Sequence, residues 1–152
     1  MSRDGGKRVT PGGIGNPRRR LLVGCTFVAV VATVGSLYFS EVMRFHPCEL
    51  CWYQRVLMYP LVVVLGVGAL EDRAGVWKSA LPLSVPGIGL AGYHTVIQAG
   101  SSSTDCVVGG GCGGVYWEGL GFLTIPRLSL LAFVLITAGL IGVVLSERRG
   151  VS

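Results

Sequence analysis

Three stretches of 19 residues without a charged side chain, 21–39, 81–99 and 128–146, constrain this chain more than any other feature. A fourth stretch, 51–70, carries a single charge, Arg55, near its start. At ~1.5 Å per residue, each is long enough to cross a hydrocarbon core of ~30 Å as a helix. A soluble helix keeps a polar face toward water, and four successive helices that are apolar all round do not suit a soluble bundle. The expected fold class is therefore all-α, an integral membrane four-helix bundle. Composition agrees: 51% of the chain is hydrophobic and 14% charged, where a soluble domain carries about a quarter charged residues. Many of the 24 glycines fall inside the apolar runs, where small residues let membrane helices approach closely.

Lysine and arginine set the expected orientation. Arg3, Lys7, Arg8, Arg18, Arg19, Arg20, Arg73, Lys78, Arg148 and Arg149 fall on one side of a four-span topology, and only Arg44, Arg55 and Arg127 on the other. Both termini are then cytoplasmic, and two extracytoplasmic loops each carry a cysteine pair. The chain is expected in the cell membrane, with its paired cysteines on the outer face, where disulfides persist. The net charge of +5 does not indicate nucleic acid. The basic residues sit at the ends of apolar segments and form no stripe beside aromatics. Residues 1–20, rich in Gly, Pro and Arg, read as a disordered basic cytoplasmic tail. Residues 21–146 read as the transmembrane domain, and 147–152 as a second cytoplasmic tail. Leu22-Val23-Gly24-Cys25 resembles a lipoprotein cleavage box, but it precedes an apolar stretch instead of following one. The length of the first span and the lack of a small-x-small site before Glu41 favour a retained helix over a cleaved signal.

Five cysteines are present. Cys25 lies in an apolar run and reads as a small buried residue. Cys48 and Cys51 form a C-x-x-C pair where the first outer loop enters the second span. Such a pair serves metal binding or thiol–disulfide exchange. Zinc would need two further soft ligands, which His46 or the second pair could supply. For exchange, the short spacing gives a reducible disulfide. The start of a helix favours a thiolate, and Cys51 is the better placed of the two. Arg55 lies four residues on, on the same helical face about one turn deeper. It either snorkels to the headgroups or stabilises an anion beside Cys51, since an intramembrane charge is costly and usually has a partner.

Cys106 and Cys112 are separated by Val107-Val108-Gly109-Gly110-Gly111, and the glycines let the sulfurs meet. So small a ring gains little from loop closure. It is either a local staple or an exchangeable pair on an arm flanked by Ser101-Ser102-Ser103 and Gly113-Gly114. Residues 115–125, with Tyr116, Trp117 and Phe122, read as an interfacial segment. His94 and Gln98 share a face of the third span, at a depth similar to Arg55, and either bond helix to helix or line a site.

Cys48-Glu49-Leu50-Cys51-Trp52-Tyr53-Gln54-Arg55 closely resembles the signature of the DsbB/BdbC family of disulfide bond formation proteins. Tyr93-His94 with Gln98, and Gly121-Phe122-Leu123-Thr124-Ile125-Pro126, resemble its short BdbC branch. The resemblance covers roughly residues 21–146. It implies a quinone-dependent dithiol oxidase in which Cys48, Cys51, Cys106, Cys112 and Arg55 carry the chemistry, with no metal. Cys106/Cys112 would be the second redox pair, meeting a soluble thioredoxin-fold oxidase of the DsbA/BdbD kind. Arg55, His94 and Gln98 would border a ubiquinone or menaquinone. Two other readings share some of these features. One is a quinone reductase of the vitamin K epoxide reductase type, whose C-x-x-C lies late in the chain and not early as here. The other is a non-enzymatic metal-binding membrane protein.

Overall fold

The computed structural model describes residues 16–44, 49–100, 118–119 and 123–150. Four long helices account for nearly all of it: α1 (Pro17–Glu41), α2 (Glu49–Leu70), α3 (Trp77–Ala99) and α4 (Ile125–Gly150). Each is long and apolar enough to cross a membrane. A short 3₁₀ turn, Ala74–Val76, joins α2 to α3. Two two-residue strands, β1 (Glu118–Gly119) and β2 (Leu123–Thr124), pair antiparallel just before α4. They lie in the segment read as interfacial and are the one departure from a purely helical fold among the described residues.

The helices outrun the uncharged stretches because polar residues complete their ends. Asn16 caps α1, its side-chain oxygen accepting from the Arg18 N–H at 3.4 Å, and Pro17 occupies the first turn, where its fixed φ suits a helix start. Arg18–Arg20, read from composition as part of a disordered tail, therefore form the first turn of α1 instead. Residues 1–15, expected to be disordered, lie outside the described residues, as do 151–152 of the second tail. Pro60 in α2 and Pro82 and Pro86 in α3 remain inside continuous helices, as packed membrane helices allow.

Contacts run around a ring: α1 packs on α2, α2 on α3, α3 on α4, and α4 returns to α1. The centre is filled by Leu22, Leu61, Leu65, Phe133, Ile136, Leu140 and Val143, all fully buried. Between helices surrounded by lipid, apolar transfer supplies little drive, and close van der Waals packing has to do the work. Glycine supplies it at two places. The Phe133 ring lies so close to Gly87 that a Cβ there would overlap it, and Cys25 Sγ occupies the space a side chain at Gly139 would need. Cys25 is buried as expected, with its S–H donating to the Ile136 carbonyl at 3.7 Å. The outside of the bundle is apolar too, with Phe27, Val34, Val56, Val63, Leu70 and Val96 largely exposed. A surface like this suits lipid and would be an aggregation hazard in water.

One end of the bundle gathers the start of α1, the α2–α3 junction and the end of α4. Arg18 pairs with Asp72 at 3.0 Å and also donates to the Asp72 carbonyl at 3.1 Å. Trp77 Nε1 donates to Glu147 Oε2 at 3.2 Å. Arg73, Lys78, Arg148 and Arg149 belong to these same segments. The candidate site lies at the other end.

Candidate redox site at the mouth of the second helix

α2 begins at Glu49, so Cys51 sits in its first turn, half-buried. The first backbone N–H groups of a helix have no intrahelical acceptor, and their aligned dipoles favour an anion there. This is the environment expected for a reactive thiol. Cys48, Cys106 and Cys112 lie outside the described residues.

Gln54 and Arg55 follow within one turn. Neighbouring helical residues project about 100° apart, so these two side chains leave α2 toward different neighbours. Arg55 crosses to α1. Its Nε donates to Ser36 Oγ at 2.8 Å, and Nη2 donates to the Ser36 carbonyl at 2.8 Å and to Ser40 Oγ. The guanidinium carbon lies 5.8 Å from the Trp52 ring centroid, within cation–π range. Arg55 is only 9% exposed, which makes it a buried cation and not a side chain snorkelling into water. No carboxylate among the described residues pairs with it, and its Nη1 makes no hydrogen bond among them. Neutral oxygens satisfy one edge of the fork, and among the described residues nothing compensates the positive charge.

Gln54 turns the other way, to α3. Its Nε2 lies 3.4 Å from His94 Nδ1, and both side chains are buried. The contact pairs the Gln54 amide with the His94 imidazole, and which group donates is set by the tautomer of the ring. Gln98 follows one turn further along α3, half-buried. His94, expected at a depth similar to Arg55, thus meets α2 at Gln54, the residue before Arg55, while Arg55 itself turns to α1. The partners Ser36, Ser40 and Gln54 were not singled out from sequence. The available signal was two serines four apart near the outer end of the first span, and a second polar residue beside Arg55. Among the described residues, no three His, Cys, Asp or Glu side chains converge as metal ligands would.

The arrangement is that of a helical membrane protein with a thiol at the mouth of one span and, one turn below it, a buried guanidinium that no carboxylate among the described residues pairs with. Such a site suits thiolate and electron-transfer chemistry at the membrane surface. The family model for disulfide bond formation protein DsbB matches residues 18–143, and the chain belongs to that family. Disulfide bond formation protein C of Bacillus subtilis is 47% identical over 112 residues, 72% of this chain and 81% of that protein. A probable disulfide formation protein of Deinococcus radiodurans is 43% identical over 122 residues, 73% of this chain and 80% of its own length. One from Metapseudomonas resinovorans is 38% identical over 125 residues, covering 80% and 87%. The chain is accordingly a membrane oxidoreductase of disulfide bond formation. This membership sets aside the late-C-x-x-C reductase and the metal-binding scaffold.

Proposed function

We propose that this chain reoxidises an extracytoplasmic thioredoxin-fold dithiol and passes the two electrons to a membrane quinone, supporting disulfide formation in exported proteins. A thiolate of the reduced partner attacks the Cys106–Cys112 disulfide and forms a mixed disulfide through Cys106. The partner's second thiolate displaces Cys106, so the partner leaves oxidised and Cys106 and Cys112 are left as a dithiol. That dithiol then reduces the Cys48–Cys51 disulfide by intramolecular exchange, which regenerates Cys106–Cys112. Each exchange breaks one S–S bond and forms another, and two electrons and two protons move with the dithiol. When bound, a quinone supplies the two-electron, two-proton acceptor that returns Cys48 and Cys51 to the disulfide.

The observation that carries this reading is Arg55: buried, held by neutral oxygens, and one turn below a thiol at a helix start. Its charge stabilises the Cys51 thiolate and negative charge on an acceptor oxygen. The buried Gln54–His94 pair and Gln98 beside it are the further groups suited to a quinone carbonyl. The outward placement of the cysteines rests on the positive-inside rule. Its support is the gathering of the basic segments at the opposite end of the bundle. The test is quinone reduction by the purified protein given a reduced thioredoxin-fold donor. One quinone reduced per partner disulfide formed is expected. Partner oxidation without quinone reduction, or four thiols persisting in the protein as isolated, would refute the proposal.

A further inference from the structure

We propose that Ser36 and Ser40 of α1 are positioning residues for the reaction, holding the Arg55 guanidinium by its Nε/Nη2 edge so that Nη1 remains for the anion formed at the α2 mouth. The inference rests on the role given to Arg55 above and extends it to a second helix.

Ser36 and Ser40 are one helical turn apart and share a face of α1. A serine or threonine inside a helix commonly turns its hydroxyl back onto its own backbone. Among the described residues, five helical hydroxyls do so: Thr26 to the Leu22 carbonyl at 2.8 Å, Thr95 to Ala91 at 2.8 Å, Thr137 to Phe133 at 2.8 Å, Ser84 to Leu81 at 3.3 Å and Ser146 to Val143 at 2.7 Å. Ser36 and Ser40 instead offer their oxygens across the interface to Arg55. The Ser36 carbonyl joins them with a lone pair that the helix does not use. Three acceptors therefore meet two adjacent donors of a planar group, which fixes both the position and the plane of the guanidinium. Trp52, 5.8 Å away, bounds it on another side.

A carboxylate at either serine position would hold the arginine as well, but it would neutralise the charge. Neutral acceptors orient the cation and leave its field available. Lysine could not replace it, because an ammonium is a point charge with no second edge to present.

The test uses the full-length chain in quinone-free lipid nanodiscs, with Cys25→Ala, Cys48→Ser, Cys106→Ser and Cys112→Ser, so that Cys51 is the sole thiol. The readout is the rate at which a neutral alkylating reagent modifies Cys51 at neutral pH, which follows the thiolate fraction. Removing a nearby cation is worth at least about one pKa unit, so Arg55→Ala should slow the reaction about tenfold. The pair Ser36→Ala/Ser40→Ala should slow it comparably, and the three changes together should be no slower than Arg55→Ala alone, the signature of coupled residues. Ser36→Thr/Ser40→Thr retains the oxygens and should stay within about twofold of the parent. If Arg55→Ala slows alkylation and the double alanine variant does not, the positioning role fails while that of Arg55 stands. Additive losses, or a threonine variant as slow as the alanine one, would also overturn it, because packing and not acceptor oxygens would then be at work. If Arg55→Ala itself leaves Cys51 unchanged, the role given to Arg55 at this thiol falls with the positioning role.

Discussion

Replacing Arg55 separates electron transfer to the acceptor from disulfide exchange. In Arg55→Ala the three hydrogen bonds to Ser36 and Ser40 are lost, each worth about 1.5–3 kcal/mol when the donor is charged. Removing the cation offsets part of that loss, because an arginine deep in a membrane costs about 2.5–3.5 kcal/mol on insertion scales. The two serines can then turn onto their own backbone, as other helical hydroxyls in the protein do. Three such bonds sum to about 4.5–9 kcal/mol, so a net loss of about 1–6.5 kcal/mol remains after the insertion term, and the unfolding midpoint of the variant is measured beside its rates. The functional term has no such offset. Removing one fixed donor from a developing negative charge in a dry site costs about 10²–10³ in rate. Quinone reduction in single turnover should fall by that factor in Arg55→Ala. It should fall less in Arg55→Lys, which keeps the charge but loses the fork. Exchange between the soluble partner and Cys106/Cys112 should be nearly unchanged, since that step takes place in the loop. The assay follows quinone absorbance and partner thiols in the same mixing experiment. Intact quinone reduction in Arg55→Ala would refute the reasoning. The acceptor would then have to be stabilised elsewhere, with the Gln54–His94 pair and Gln98 the next groups to change.

Under the proposed outward placement of the cysteines, a thiol label that cannot cross the membrane should reach reduced Cys106 and Cys112 in intact cells; labelling only after lysis would reverse the orientation. Cys112→Ser should strand the soluble partner on Cys106 as a mixed disulfide visible on a non-reducing gel, and equal trapping on Cys48 would break the proposed order of transfer. Gly87→Val should destabilise the bundle by about 1–3 kcal/mol through overpacking against Phe133, measured as a lower midpoint of unfolding in detergent. An unchanged midpoint would mean that α3 and α4 can separate without loss.

The four spans were legible in the sequence because the bilayer imposes a length and a composition that any spanning helix must meet. The placement of Cys51 and Arg55 at the mouth of the second span was legible too. A C-x-x-C, a helix start and an arginine four residues on lie within eight consecutive residues, and their geometry follows from the helix alone. The ends of the helices were less so. Arg18–Arg20 look like tail by composition, and only Asn16 and the Asp72 partner, 54 residues away in the chain, show why they are helical.

Which groups satisfy the buried polar residues was decided by tertiary structure. Periodicity put His94 and Gln98 on one face of α3 but could not say what that face meets. The ring of helices sets Gln54 against His94 and Ser36 and Ser40 against Arg55. The physical reason is that local pattern tells how far along a helix a side chain lies and which way it points relative to its neighbours. The rotation of that helix against the next is set by packing over its whole length, by contacts such as Phe133 against Gly87 and Cys25 against Gly139. The sequence alone determined that a cation would lie one helical turn from a thiol on the same face; only the packed bundle decided that it is buried, that two serines hold it and that no carboxylate among the described residues pairs with it.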